Sequence, residues 1–175
     1  MKNIGFIEPD SGFVRVNTPV FGCTFFHGHM FPVYFVSGSG KAFPGVSWRD
    51  ELTDETGVWR LQDDRWAEFN LLDNSPERFV MECTGTFCRN DLRPFSRGLS
   101  GVSACFRYII EAGNPVIRVE AELTNSVPRR LEHSALFPVT AGGITRDFIG
   151  SPPGKVWNTN QLNFTVLIRM KEHRK

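Results

Sequence analysis

Residues 106–125 read FRYIIEAGNPVIRVEAELTN, and this stretch decides the fold class. In its second half apolar and polar side chains alternate, which is typical of a strand with one buried and one solvated face. The apolar side is formed by Ile117, Val119, Ala121 and Leu123, and the polar side by Arg118, Glu120, Glu122 and Thr124. Because glycine tolerates positive φ and Pro115 fixes φ, the central AGNP predicts a turn. The stretch therefore predicts an antiparallel hairpin.

The same alternation recurs along the rest of the chain. It is present in RFVMECTGTF at 78–87, in LEHSALFP at 131–138 and in LNFTVLIR at 162–169. Segments 12–26 and 31–40 add further strand-like runs, and no segment keeps apolar residues at helical spacing for three turns. We therefore predict an all-β fold, an antiparallel β-sandwich of two packed sheets with little helix.

The connecting segments are consistent with one domain. DELTDETGVWRL at 50–61 begins with residue types that cap helices, but Gly57 interrupts the pattern. NDLRPFSRGLSG at 90–101 is polar and predicts a long hairpin loop, of a kind that often reaches over a binding face. Because no linker divides the 175 residues, we predict a single domain over 1–175 with a frayed, charged tail at 171–175.

Charge and hydropathy exclude several classes of partner. The chain has 20 basic and 19 acidic residues, and a formal net charge of +1 offers no basic footprint for nucleic acid. No apolar run approaches the roughly 20 residues that a membrane-spanning helix needs. The beginning of the sequence, MKNIGFIEPDSG, lacks the apolar stretch of a secretory signal, so the expected location is the cytoplasm.

The four cysteines predict neither a metal site nor a disulfide framework. Cys23, Cys83, Cys88 and Cys105 form no CxxC pair and match no zinc-binding spacing. Two of them, Cys83 and Cys105, lie within strand-like runs, where a reduced cysteine acts as a small buried hydrophobe. We therefore expect free thiols, no bound metal and no cofactor.

Three tryptophans suggest a ligand site. Trp48, Trp59 and Trp66 lie close together in the sequence among the charged residues Arg49, Asp50, Glu51, Asp54, Arg60, Asp63, Asp64 and Arg65. Aromatic rings that stack on sugar C–H faces, together with charged groups that bind hydroxyls, are what a carbohydrate site needs. The alternative is that one or two of the tryptophans close one end of the sandwich and the charges lie in solvated turns.

The histidines and the central hairpin supply further candidates. His27 and His29 share one side of an extended segment, where they could contact a ligand or form a polar pair on a solvated face. Two imidazoles there could also share a metal, with Cys23, Glu132 or His133 as a distant third ligand. Arg107 and Arg118 lie on the polar side of the hairpin, where they could meet an acidic sugar or pair with glutamates across the strands. Glu120 and Glu122 point the same way, and a glutamate with a raised pKa there could act as acid or base.

The order of these strands resembles a known group of carbohydrate-active proteins. ERFVMECTGTF, a loop, and then ACFRYIIEAGNPVIRVEAELTNSVPRRLEHSALFP are similar to the galactose-mutarotase-like supersandwich domains, and most of all to the YetA-like, rhamnogalacturonan-lyase-related proteins. GFVRVNTPVFG and VSWRDELTDETGVWRLQDD also suit their early strands. The resemblance implies a supersandwich, here in a reduced form, and a carbohydrate ligand. It carries no catalytic residue to a position in this chain.

Three functional hypotheses follow. The first is a carbohydrate-binding β-sandwich domain without assigned catalytic residues. The second is a small epimerase or lyase on the same scaffold, with His133, Glu120 or Glu122 as the catalytic group. The third is a non-catalytic structural or interaction protein, a homodimer whose apolar surface forms the interface.

Overall fold

The computed structural model describes the chain with gaps. The described residues are 2–8, 12–26, 28–38, 40, 47–48, 50–90, 97–126, 131–135, 139–141, 144–146, 157–159 and 162–172. Across these ranges the chain forms strands, turns and bends, and no helix. None of the described segments is a helix of the length and hydropathy needed to cross a lipid bilayer.

The strands follow one another along the chain with short connections. The first eight are β1 (Gly5–Ile7), β2 (Val14–Asn17), β3 (Phe21–Phe25), β4 (Pro32–Ser37), β5 (Ser47–Trp48), β6 (Glu51–Asp54), β7 (Gly57–Arg60) and β8 (Glu68–Asn74). The others are β9 (Arg78–Asn90), β10 (Arg97–Glu111), β11 (Val116–Asn125), β12 (Leu131–Ala135), β13 (Val139–Ala141), β14 (Ile144–Arg146), β15 (Trp157–Thr159) and β16 (Leu162–Glu172).

These strands form a small sheet, a large sheet and a third sheet of short strands. The small sheet has the order β1-β2-β3-β4, and each pair of neighbours is antiparallel. The large sheet has the order β12-β6-β7-β9-β10-β11-β16-β15, and β8 also pairs with β9. Its pairs are antiparallel except that of β11 with β16, which is parallel. A short set of strands, β14-β13-β5, forms a third sheet.

The predicted hairpin is the centre of the large sheet. β10 pairs with β11 in a register that places Arg107 opposite Glu120 and Tyr108 opposite Val119. All four apolar residues of the alternating run are buried: Ile117, Val119, Ala121 and Leu123. Between them Arg118 is exposed and Glu120 is half-buried. The alternation therefore has the predicted parity, with the apolar side in the core.

Aromatic side chains from both sheets meet in one core. The ring of Phe25 in β3 packs edge-on against that of Tyr108 in β10, with centroids 4.9 Å apart. Phe31, just before β4, packs against Phe106 with centroids 5.4 Å apart. The Tyr108 hydroxyl donates a 2.8 Å hydrogen bond to the Met30 carbonyl. These contacts make the fold the predicted β-sandwich, in which each sheet buries the apolar face of the other.

One predicted boundary is corrected, that of the loop between β9 and β10. Residues 90–101 were predicted as one loop, but Asn90 ends β9 and β10 begins at Arg97, so the strands take up much of the segment. The polar composition of the segment gives no sign of these strand residues. They are strand residues because β10 pairs with β9 on both sides of a bulge between Leu99 and Ser103. β16 continues to Glu172, where it pairs with Asn125. The rest of the tail expected to fray, 173–175, lies outside the described residues.

Candidate functional site

The outer face of the central hairpin carries a row of ion pairs. The Arg107 guanidinium contacts Glu82 on β9 at 2.6 Å and Glu120 on β11 at 3.3 Å. Arg118 contacts the other carboxylate oxygen of Glu120 at 2.5 Å. The predicted cross-strand pairing of arginine with glutamate is thus confirmed, and it extends over three strands. Glu122, two residues along β11 from Glu120, is half-buried.

These contacts set the charge state of Glu120. The hydrogen bond from Arg118, helped by the charge of Arg107, lowers the pKa of the Glu120 carboxyl below its ordinary value. The hydrogen bond to Glu82 correspondingly raises the pKa of Arg107. A carboxylate that stays ionised and holds two arginines is a good ion-pair partner, whereas a proton donor at neutral pH needs a raised pKa. The row is therefore a set of mutually neutralised charges.

The three tryptophans are not equivalent. Trp59 on β7 is 6% exposed, and its indole N–H donates a 3.2 Å hydrogen bond to Asp54. The Arg89 guanidinium lies 4.7 Å from its ring centroid in a cation–π contact. Trp66 is 57% exposed in the loop before β8. Trp48 lies in β5, where its backbone is opposite Val139. Trp59 thus closes the core, and Trp66 is open to solvent.

Several acidic residues near the tryptophans are buried. Asp54 accepts hydrogen bonds from the Thr56 backbone at 2.7 Å and from Trp59. Asp64 accepts them from the backbone of Trp66 at 3.0 Å and of Thr86 at 2.7 Å. The alternative that these charges lie in solvated turns is therefore wrong for the buried Asp50, Asp54 and Asp64. Asp54 and Asp64 hold turns in place.

The two histidine candidates that the structure describes, His29 and His133, lie in different parts of the fold. His29 is exposed, and its backbone N–H donates a 3.1 Å hydrogen bond to the Phe26 carbonyl. His133 lies in β12, where its backbone is opposite Thr53 on β6. His27 lies outside the described residues. Within the described part of the chain, no three His, Cys, Asp or Glu side chains are grouped as metal ligands.

The cysteines are free thiols, as predicted. Cys23, Cys83 and Cys88 are buried, and Cys105 is half-buried on the outer face of the large sheet. Burial raises the pKa of Cys23 and Cys83 far above the ordinary value of a thiol. Burial also raises the pKa of Cys105. Thiols that stay protonated are poor nucleophiles, so Cys23, Cys83 and Cys105 are packing residues.

The small sheet carries a groove on its outer face, away from the shared core. Its volume is about 560 Å³, within the range of roughly 300–1,000 Å³ that small-molecule sites occupy. Three aromatic rings line it: Phe13, Phe26 and Tyr34. Phe13 and Phe26 pack edge to face with centroids 4.4 Å apart. Tyr34 is 50% exposed, so part of its ring is open to solvent.

The register of the small sheet brings polar side chains into the same groove. Arg15 on β2 is opposite Thr24 on β3, and Thr24 is opposite Tyr34 on β4. Two residues further along β2, Asn17 is opposite Gly22 on β3, and Gly22 is opposite Val36 on β4. β2 and β3 contribute alternate residues to this face, because their buried residues Val14, Val16, Phe21, Cys23 and Phe25 turn into the core. On β4, where the register shifts, the neighbours Val33 and Tyr34 are both exposed and both line the groove.

Most of these polar side chains have no hydrogen-bond partner in the part of the chain that the structure describes. Among the described residues, the side chains of Asn17, Thr24 and Tyr34 make no hydrogen bond. Arg15 is paired with Glu8 at 3.0 Å, and its side chain is 51% exposed. Guanidinium offers five N–H donors, so one ion pair leaves donors available. The groove therefore combines an open aromatic ring with unsatisfied hydrogen-bonding groups.

Sequence reasoning missed this groove although part of its signal was readable. The alternation of VRVN places Arg15 and Asn17 on the face opposite Val14 and Val16. Tyr34 was concealed, because it lies within the almost continuous apolar run FPVYFV. Which residue of β4 lies opposite Thr24 depends on the pairing register, which a single strand does not encode.

Comparison with known proteins adds no relative: no protein-family model matches the chain, and no curated protein or solved structure is significantly similar to it.

Proposed function

We propose that this β-sandwich binds carbohydrate, and that the ligand lies in the groove on the outer face of the small sheet. The observation that carries the proposal is the half-exposed ring of Tyr34 beside the polar side chains of Arg15, Asn17 and Thr24. A pyranose presents an apolar C–H face and a rim of hydroxyls. Tyrosine offers a ring for the first, and guanidinium, amide and hydroxyl groups bind the second.

The resemblance to galactose-mutarotase-like and rhamnogalacturonan-lyase-related domains favours the same ligand class. The proposal is for binding rather than for turnover. The glutamate at the centre of the hairpin, Glu120, has a lowered pKa and holds two arginines, which makes it a poor proton donor. No observation on the described residues favours an epimerase or lyase.

The test is a calorimetric titration with neutral mono- and oligosaccharides and with uronic acids. We expect at least one saccharide to bind. Tyr34→Ala should weaken that binding by about tenfold or more, because ring contacts contribute on the order of 1.4 kcal/mol, which corresponds to a tenfold change in the dissociation constant. The matched control is Trp66→Ala, which removes an exposed ring outside the groove and is expected to leave the affinity unchanged. Absence of binding across the panel, or equal affinity in Tyr34→Ala, would contradict the proposal.

A second candidate is the homodimer, favoured by apolar residues at one edge of the sandwich. Phe6 and Ile7 on β1 are 58% and 43% exposed, and Leu71 and Leu72 on β8 are 39% and 47% exposed. The two strands are joined by Asn74, whose side-chain amide exchanges two 3.0 Å hydrogen bonds with the backbone of Gly5. Exposed apolar residues on neighbouring edge strands suit contact with a second copy.

A further inference from the structure

Part of the groove belongs to a longer row of side chains that crosses the small sheet. Phe6 on β1 is opposite Arg15 on β2. Arg15 is in turn opposite Thr24 on β3, and Thr24 is opposite Tyr34 on β4. Residues directly opposite each other on antiparallel strands point to the same face of the sheet. These four side chains therefore form a line across the four strands, which we call the cross-strand row.

The surroundings of Gly5 fix the direction of the Phe6 side chain. A Cβ built on Gly5 would run into the ring of Phe79, which is fully buried in the core. Gly5 therefore faces inward. Because successive residues of a strand point to opposite faces of the sheet, Phe6 faces outward, in agreement with its exposure of 58%.

The cross-strand row is aromatic at both ends and polar in the middle. Phe6 at one end and Tyr34 at the other each have a ring that is open to solvent. Between them, Arg15 is held by Glu8 at 3.0 Å, and its guanidinium keeps further N–H donors for a ligand. The Thr24 hydroxyl can donate or accept a hydrogen bond. The middle of the row thus suits hydroxyl groups, and its two ends suit the C–H faces of sugars.

The separation of the two rings determines what length of ligand can contact both. Neighbouring strands lie about 4.8 Å apart, so the backbones of Phe6 and Tyr34, three strand spacings from each other, are about 14 Å apart. A single pyranose is shorter than this separation and can stack on one ring at a time. An unbranched oligosaccharide can place one sugar on each ring and lay the sugars between them over Arg15 and Thr24.

We infer that the ligand is an unbranched oligosaccharide that lies across the strands of the small sheet, and that Phe6 is a second stacking residue for it. One sugar stacks on Tyr34 in the groove, and a later sugar stacks on Phe6. The hydroxyls of the sugars between them bind Arg15 and Thr24. This inference rests on the proposed function, of which it names the ligand class and a further binding residue. It differs from the homodimer, in which Phe6 would contact a second copy of the chain.

The dependence of affinity on ligand length tests the inference. The wild-type chain is titrated calorimetrically with unbranched saccharides of one kind, from the monosaccharide to the hexasaccharide. The longer members are expected to bind about tenfold or more tightly than the monosaccharide, a difference of about 1.4 kcal/mol. Phe6→Ala is expected to remove this gain, because the second ring is lost, so that short and long members bind with similar affinity.

Three further variants separate stacking from self-association. Phe6→Tyr keeps a ring and is expected to keep the gain, whereas Phe6→Leu keeps an apolar side chain without a ring and is expected to lose it. The matched control is Leu72→Ala, which removes an exposed apolar side chain on β8, outside the cross-strand row, and should bind the whole series as the wild type does. Thermal unfolding reports whether each variant is folded.

The possible failures of the inference and of the proposed function differ. Long members that bind no more tightly than the monosaccharide, or a gain that persists in folded Phe6→Ala and Phe6→Leu, would overturn the inference and leave the proposed function standing. A gain that Leu72→Ala also loses, with twice the chain mass for the wild type in light scattering, would assign Phe6 to a contact between two copies and overturn it as well. If no saccharide of any length binds the wild type, the proposed function itself falls.

Discussion

At the scale of single residues, Tyr108 contributes to both layers of the sandwich. It is fully buried, its ring packs against Phe25 of the small sheet, and its hydroxyl donates to the Met30 carbonyl. Burial raises the pKa of Tyr108 well above its ordinary value, so the hydroxyl keeps its proton and remains a donor. A buried carbonyl needs such a donor, since leaving it without one costs free energy.

Tyr108→Phe is expected to lower the free energy of unfolding by about 1–3 kcal/mol, because it leaves the Met30 carbonyl buried without a donor. Urea unfolding followed by circular dichroism measures the change, with an unaltered dependence on denaturant. Tyr34→Phe is the control: its hydroxyl is on a 50% exposed side chain, and we expect a change within about 0.5 kcal/mol. Equal stability of wild type and Tyr108→Phe would show that water or another group replaces the hydroxyl.

At the scale of strands, β9, β10 and β11 are tied on their outer face by the row Glu82, Arg107 and Glu120, which Arg118 extends along β11. Ion pairs on an exposed face contribute about 0–1 kcal/mol each. Their main effect is on register: a slip by one residue would bring charged side chains into the core and apolar ones to the surface. The row therefore supports the same alignment that the buried apolar residues require.

The lowered pKa of Glu120 predicts a pH dependence of stability. Because the pKa of Glu120 is lower in the folded than in the unfolded state, its contribution to stability is present above the ordinary value of 4.5 and is lost as the pH falls through the folded-state value. In Glu120→Gln this contribution is absent. The wild type is therefore expected to be more stable than the variant at neutral pH, and the two should converge in acid.

Urea unfolding across that pH range measures the difference between the two proteins. The control is Glu77→Gln in the exposed turn before β9, where the carboxylate has no ion-pair partner among the described residues. Its stability profile should run parallel to that of the wild type. A difference between wild type and Glu120→Gln that stays constant down to the lowest pH would show that Glu120 stabilises the fold by packing and not by charge.

At the scale of the whole molecule, the two sheets differ in what they expose. The large sheet presents its neutralised ion pairs on the outer face, the small sheet presents the groove, and one edge of the sandwich presents apolar side chains on β1 and β8. On β8 the register shifts between Leu71 and Asp73. A bulge on an edge strand disturbs continuous pairing with another strand, so contact there would be through side chains.

If this edge is the interface of a homodimer, light scattering will give twice the chain mass of 19.8 kDa. Leu72→Lys is expected to shift the population to the monomer, because it places a charge in an apolar contact. Leu99→Lys on β10 is the matched control, since Leu99 is 56% exposed and lies away from that edge. A wild-type mass of 19.8 kDa at the highest attainable concentration would exclude the homodimer.

The all-β class and the parity of the central hairpin could be predicted from the sequence. An alternation such as that from Ile117 to Leu123 determines locally which side chains share a face, and the hydrophobic effect determines that the apolar face is the buried one. The free thiols followed from the spacing of the cysteines and from the position of Cys83 and Cys105 within strand-like runs. The extent of the loop predicted at 90–101 was wrong, because the pairing partner of a polar segment decides whether it is a strand.

The candidate site could not be predicted in the same way. The sequence by itself determined that Arg15 and Asn17 are on the solvated face of β2, since that follows from a period of two. Only the tertiary structure decided that Thr24 and Tyr34 lie beside Arg15, and that Gly22 lies between Asn17 and Val36. Pairing register and sheet packing bring together residues that are distant in the chain. The free energy of each arrangement depends on all the paired strands at once, so a local sequence pattern does not determine which residues meet.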